Sequence, residues 1–305
     1  MESATIALLA AAIVAGTPIL FAALGELMAE RSGILNLGVE GMMLVGAVLG
    51  FIFASNTGNH WYGLLAAMMG GGLMASIHAF ISVTLRGNQV VSGLALTIFG
   101  TGISGFMGKS YQGMPAADPF RPISVPVLGD IPVLGPILFK QDALVYISLI
   151  LAIGLWYILF RTRWGLRIRS VGENPAAADA VGISVCRVRY ICTILGGMFA
   201  GLGGAYLSLA YAPSWQENMT AGRGWIAVAL VIFALWNPLR GLLGSYLFEA
   251  LTFRIQTIGI HVSSFFLAML PYLLTILVLV LVTIRLRQEA GAPRALGVPY
   301  DREER

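Results

Sequence analysis

The stretch Arg161–Arg189, reading RTRWGLRIRSVGENPAAADAVGISVCRVR, is a long polar, arginine-dense interruption between two long apolar runs. Arg161, Arg163, Arg167, Arg169, Arg187 and Arg189 are opposed only by Glu173 and Asp179. An excess of arginine beside apolar segments marks the cytoplasmic side of a membrane protein, so this stretch orients the whole chain. A short helix is legible inside it. Asn174 caps, Pro175 suits the first helical position, Ala176–Val181 propagate, and Gly182 supplies a left-handed stop.

With 57% hydrophobic and 11% charged residues and a mean hydropathy of +0.82, the chain is too apolar for a soluble domain. The fold class is therefore an all-α polytopic membrane protein. The net charge of +4 sits on inside loops and carries topology, not nucleic-acid binding. Cys186 and Cys192 lie on or beside the reducing side without a neighbouring His, so neither a disulfide nor a metal site is expected. Met1–Thr5 lacks a positive leader region, and the first apolar run is expected to remain as a span.

Apolar windows place spans near Ile6–Leu24, Leu37–Ala54, Tyr62–Leu85, Gln89–Met107, Ala143–Phe160, Tyr190–Tyr211, Trp225–Trp236, Leu242–Ile258 and Phe265–Ile284. That is about nine transmembrane helices, within a range of about eight to ten. Trp225–Trp236 is short and runs into Asn-Pro, which fits a half-helix or re-entrant segment. The Pro/Gly-rich loop Gly108–Gln141 has no inside bias and is placed outside. Arg285, Arg287 and Arg294 put the C-terminus in the cytoplasm, and parity puts the N-terminus outside.

The chain also rhymes with itself at a separation of roughly 180 residues. Asn36-Leu-Gly-Val-Glu-Gly41 precedes one span and Asn218-Met-Thr-Ala-Gly-Arg-Gly224 another, and Gly63-Leu-Leu-Ala-Ala parallels Gly241-Leu-Leu-Gly-Ser. A first repeat over 1–112, a linking helix over 143–160, an inside loop over 161–189, a second repeat over 190–287 and a tail over 288–305 follow. A single linking helix turns the second repeat upside down, giving two inverted repeats. Such repeats place a substrate path at their interface, lined by broken helices. Candidate path residues are Asn36, Glu40, Asn88, Trp215, Asn218 and Thr220. Asn36 and Glu40, four apart, would share one helical face. Glu30 and Arg31 read as anchors of a helix end, Arg223 at the outer mouth as a partner for Glu217 or a contact for an external protein, and His78 as a buried inter-helix hydrogen-bonding group.

The run GLRIRSVGENPAAADAVGISVCRVR resembles the coupling loop of permease subunits of bacterial ABC importers, in the branch handling branched-chain amino acids, simple sugars and nucleosides. Gly25–Gly41 with the following MMLVGA, and Trp215–Ala229, are similar to the same branch, the former closest to nucleoside and simple-sugar members. The resemblance implies that Gly172, Glu173, Asn174, Pro175, Ala176, Ala177, Ala178, Asp179 and Gly182 dock on an ATPase subunit. It implies two ABC ATPase subunits that bind the ATP, a second related or identical permease, an extracytoplasmic substrate-binding protein and a small-molecule substrate, in the bacterial inner membrane. The chain itself would hold no cofactor, metal or catalytic residue. It would translocate a small neutral polar solute by alternating access.

Two other classes compete. An ion-coupled secondary transporter or channel would also use inverted repeats, with Glu40 and Glu249 as coupling carboxylates. An intramembrane serine protease would use Gly102-Ile-Ser-Gly105 with His78 or His261. A Walker-type loop before Gly108-Lys-Ser110 fails because Ile103 stands where the first glycine is required.

Overall fold

A computed structural model describes residues 2–257, isolated positions between 266 and 280, and residues 291–302. The expected span Phe265–Ile284, with Arg285, Arg287 and His261, falls largely or wholly outside the described residues.

Polar caps cut the apolar chain into helices. α1 (Glu2–Arg31) gives way to an irregular turn in which the Asn36 side chain accepts from the Gly38 N–H at 3.0 Å. α2 (Val39–Thr57) follows and is stopped by Gly58 at φ 66°. Asn59 caps α3 (His60–Ala79), which ends in a π-helical turn over Phe80–Thr84. Asn88 caps α4 (Gln89–Gly108) and Asp142 caps α5 (Ala143–Arg161). Between them the loop forms a two-stranded antiparallel ladder, β1 (Ile123–Ser124) with β2 (Lys140–Gln141).

Thr162 caps α6 (Arg163–Glu173) and Asn174 caps α7 (Pro175–Ala180), with Gly182 at φ 84° just beyond. α7 matches the expected short helix. α6 was not expected, because its arginines dominate the hydropathy. Its period is nonetheless helical, with Gly165, Ile168, Val171 and Gly172 buried while Arg163 and Arg167 face out. α8 (Val185–Tyr206) then starts inside the expected loop and ends in a π-helical turn over Leu207–Tyr211. α9 (Arg223–Phe233) is half-length, and α10 (Pro238–Thr257) closes the continuously described part.

Six helices among the described residues are long and apolar enough to cross a membrane: α1 to α5 and α8, the π-helical turns included. α9 is too short, and α10, carrying Arg240, Glu249 and Arg254, is not among the six.

α8 is the central post. Its glycines let α1, α2 and α3 approach backbone to backbone, as small residues do between membrane helices. A Cβ on Gly196 would stand 2.7 Å from the Gly25 carbonyl, and one on Gly203 would stand 2.6 Å from that of Pro18.

Contacts fix the direction of each helix between two ends, one bearing the 109–141 loop and the other α6 and α7. α2 finishes at the loop end, where Tyr111 donates to Asn56, and α3 starts there, with His60 Nδ1 2.6 Å from Asp118. α5 begins there too, its Asp142 accepting from the Tyr206 hydroxyl at the far end of α8. After α8 the chain stays at that end, where the Trp215 carbonyl accepts from Gly113, and then descends irregularly through Asn218 and Ala221, both at positive φ.

Candidate substrate-path junction

The descent ends at mid-depth. Gly41 packs on Gly100, the twelfth residue counted from Gln89 in the 20-residue α4, so the start of α2 lies near the middle of that span. Here the two sequence segments that echo one another meet. The Glu40 carboxylate accepts from the Thr220 hydroxyl at 2.5 Å and the Gly222 N–H at 2.8 Å through one oxygen, and from the Gly224 N–H at 2.6 Å through the other. Glu40 is 5% exposed and Thr220 fully buried.

These donors run from just before α9 into its first turn, and its own cap position, Gly222 at φ 85°, has no side chain to offer. Glu40 therefore caps α9 from another helix, satisfying amides that would otherwise be stranded and placing negative charge at the positive end of the helix dipole. Gly224 is required for this approach, since a Cβ there would lie 2.6 Å from the Glu40 backbone.

The other end of α9 is held by the same hairpin. Leu235 and Trp236 adopt positive φ and turn their carbonyls to Arg31, which donates from Nε to Trp236 at 3.0 Å and from Nη2 to Leu235 at 3.4 Å. A cation at a helix C-terminus is the dipole's complement. Trp236 donates its indole N–H to Glu30, and Arg31 also stands over the Phe160 ring. Glu30 and Arg31 thus anchor a helix end, as expected, but the end they anchor is that of α9 as well as their own.

The turn between Arg31 and Val39 is irregular backbone inside the bundle, where every polar group needs a partner. Asn36 N–H donates to Glu26 at 2.9 Å and Leu35 N–H to Gln89 at 2.7 Å. His78 meets the Leu35 carbonyl at 3.0 Å, and Thr97 donates to that of Leu37 at 2.9 Å. His78 also contacts Ser92 at 3.0 Å, so it is the buried hydrogen-bonding group that its surroundings predicted. Glu26 lies within the Gly25–Gly41 motif and reads as an anchor like Glu30, whereas Gln89 and Thr97 carry no motif and were missed. The signal available was a polar residue facing an unwound segment, which only the packing reveals.

The sequence-predicted path residues scatter around this junction. Glu40 and Thr220 touch directly. Asn36 and Glu40 do not share a helical face, because Asn36 lies ahead of α2 and spends its side chain on Gly38 and the Met42 sulfur. Asn88 is exposed and caps α4 by accepting from Val91. Trp215 is buried against Gly108 near the loop end. Asn218 is exposed, at φ 55°, in the descending segment. Arg223 points to the Met219 and Thr220 carbonyls and the Tyr211 ring; no ion pair with Glu217 occurs among the described residues.

The docking candidates gather at the arginine-rich end, in and around α7. Glu173, Asn174, Ala176, Ala177, Ala180, Val181 and Gly182 are exposed, whereas Ala178 turns inward at 3% exposure and Gly172 is buried. Asn174 accepts from Ala177 N–H at 3.0 Å.

Glu40 and Ser104 are both engaged in ways that the competing chemistries do not use. Glu40 is saturated by protein donors, leaving it poorly placed to hold a coupling ion. Ser104 donates to its own helix at Thr101, and His78 is engaged elsewhere, so no serine–histidine pair forms among the described residues.

Residues 8–287 match the sequence profile of the branched-chain amino acid transport system / permease component family. The chain is 40% identical over 315 residues to the guanosine ABC transporter permease of Bacillus subtilis, covering 97% of this chain and 96% of that one. It is 37% identical over 303 residues to the nucleoside ABC transporter permease of Lactococcus lactis, covering 94% of each. A Haloferax volcanii ABC transporter permease provisionally named for glucose is 41% identical over 322 residues, 97% of this chain and 98% of its own. Among solved structures, an inward-facing ABC transporter provisionally typed as metal-chelate shares the fold with a TM-score of 0.50 at 14% identity, over 92% of this chain and 85% of that one.

Proposed function

The chain belongs to the branched-chain amino acid transport system / permease component family, and from that premise we propose that it is the membrane-spanning subunit of an ATP-driven importer for a neutral polar solute, a nucleoside or simple sugar. The ATP is hydrolysed by two separate subunits, and this chain performs no covalent chemistry. A second permease, related or identical, and an extracytoplasmic substrate-binding protein complete the complex in a bacterial inner membrane. The arginine-rich end lies in the cytoplasm and the 109–141 loop outside.

The observation that carries this reading is α7, a six-residue helix capped by Asn174 and ended by Gly182 that offers Ala176, Ala177, Ala180 and Val181 to whatever lies beneath. A short helix capped at its start and stopped cleanly at its end, with small exposed residues, suits a groove on a partner and has no use in an ion-driven carrier. The test is an Ala177→Cys variant co-expressed with candidate ATPase subunits. A specific crosslink, lost on deletion of Asn174–Gly182, is expected. Transport that follows an ion gradient, without a crosslink to any folded ATPase, overturns the reading.

Alternating access by two inverted repeats is supported by the caps. Asn59 accepts from Trp61 N–H ahead of Gly63, and Asn237 accepts from Leu239 N–H ahead of Gly241, so the two repeats start α3 and α10 with the same device. α3 departs from the loop end and α10 from the arginine-rich end, opposite senses as inversion requires. Substrate class is supported by the names of the nucleoside-transporting relatives and by the electrostatics of α9. Its N-terminus, the natural seat for an anion in a broken-helix transporter, is already neutralised by Glu40. A neutral solute needs no such seat. Uptake of labelled guanosine or glucose, with each unlabelled solute as competitor, separates the two candidates.

A further inference from the structure

The tail carries little of the family resemblance, yet residues 291–302 are bound to the α1–α2 turn, the α3–α4 turn and the α6–α8 region. Ala295 N–H donates to the Gly172 carbonyl at 2.8 Å, where α6 gives way to α7, and Gly297 N–H donates to Gly33 in the α1–α2 turn at 3.2 Å. Arg189, fully buried at the start of α8, donates to the Val298 carbonyl at 3.1 Å. Asp301 pairs with Arg86 between α3 and α4, and Arg302 reaches Asp179 of α7 at 3.1 Å. Pro293 and Ala295 are buried, and Leu296 and Tyr300 pack against the main core.

Chain termini fray unless something ties them down. Among the elements tied here, α7 otherwise packs mainly on α6 and α8 and gains its link to the α1–α2 turn through the tail. Gly172, Pro293 and the Arg31 carbonyl meet at one point, where even a Cβ on Gly172 would find the Pro293 side chain at 3.3 Å. Arg31 is the residue that holds the C-terminus of α9.

We propose that residues 291–302 form a strut between α7 and the α1–α2 turn, delivering displacement of α7 to Arg31 and through it to α9. The inference rests on the reading of α7 as the ATPase-docking helix. Gly172, Gly33, Ala295 and Gly297 are its positioning residues. The exposed Arg302–Asp179 pair is the weakest link, since exposed ion pairs contribute little. The backbone bonds at Gly172 and Gly33 are the stronger ones.

The assembled complex with its ATPases and binding protein is reconstituted in vesicles, and solute moved per ATP hydrolysed is measured. One variant ends at Ala290. A second, Gly297→Val, keeps the tail but forces a β-branched residue into φ 76°, where its side chain meets no neighbour and only the backbone tie is strained. Both are expected to co-purify with the ATPases and hydrolyse ATP while moving roughly five-fold or more less solute per ATP, the lower end of ordinary coupling. Wild-type solute per ATP in Gly297→Val, or in the truncation, overturns the strut. Failure of the wild-type chain to co-purify with any ATPase overturns the docking reading itself. If the truncation alone does not fold, Gly297→Val decides.

Discussion

Replacing Glu40 by Ala removes the acceptor shared by the Thr220 hydroxyl and the Gly222 and Gly224 amides. Each buried donor left without a partner costs about 1–3 kcal/mol, and withdrawing a carboxylate from a helix N-terminus adds about 1 kcal/mol. Relaxation of the glycine-rich segment recovers part of this. A net loss of about 3–5 kcal/mol is therefore expected, the range seen when one partner of a buried charged interaction is removed. The loss is local, because α8 and its glycine contacts with α1 to α3 are untouched. Glu40→Gln should fall between, since its oxygen still serves Thr220 and Gly222 while its amide faces the Gly224 N–H donor to donor.

The assay is amide hydrogen exchange in detergent. Opening made easier by about 3 kcal/mol speeds exchange more than about 100-fold. That acceleration should appear at Gly222 and Gly224 in Glu40→Ala, to a lesser degree in Glu40→Gln, and not in mid-α8. Solute uptake by the reconstituted complex should fall in the same order. Exchange at Gly222 and Gly224 that stays within about three-fold of wild type, with uptake intact, would refute the assignment of Glu40 as the cap of α9.

Arg31→Ala removes both bonds to the C-terminal carbonyls of α9 and should cost about 1–2 kcal/mol, read as a lower Tm that Arg31→Lys partly restores. Gly196→Val drives a side chain into the Gly25 carbonyl and should cost at least about 1–3 kcal/mol, seen as loss of monodisperse protein in size-exclusion chromatography. Burial raises the Asp142 carboxyl above its ordinary 3.8, outweighing the hydrogen bonds that favour its charged form. A carboxyl whose folded pKa exceeds its unfolded value favours the fold at low pH and loses that contribution as pH rises through the folded value. Tm should therefore decline with rising pH in the window just above 3.8, and Asp142→Asn, which retains a capping oxygen, should flatten that slope.

Local signals carried most of the helices. Long apolar runs gave α1 to α5 and α8, though α1 runs on past Leu24 to Arg31 and α8 starts at Val185 ahead of Tyr190, because a membrane span needs only length and hydropathy. The caps at Asn174 and the stop at Gly182 were equally legible, since each acts within one turn of its own helix. α6 was hidden because hydropathy counts its arginines and ignores their shared face. The offset that linked Gly63 to Gly241 also links the caps Asn59 and Asn237, which could have been found by extending the same comparison.

The junction itself could not be read from the chain, for a reason particular to α9. Glu40 and Thr220 are 180 positions apart, and no pattern local to either names the other. What the sequence did show was a segment too short to span and two glycine-broken approaches to mid-depth. The length of α9 then follows from its clamps. Its 11 residues rise about 16 Å at 1.5 Å each, roughly half of a hydrocarbon core about 30 Å thick. That rise carries it from Glu40 at mid-depth to Arg31 at the arginine-rich end. Adding one residue within α9 would lengthen it by about 1.5 Å and rotate one end by about 100° against the other. Glu40 and Arg31 belong to a single hairpin and cannot both follow such a change. A short helix held at both ends by one hairpin is tied to the position of that hairpin, so displacement of Glu40 or Arg31 is expected to carry α9 with it.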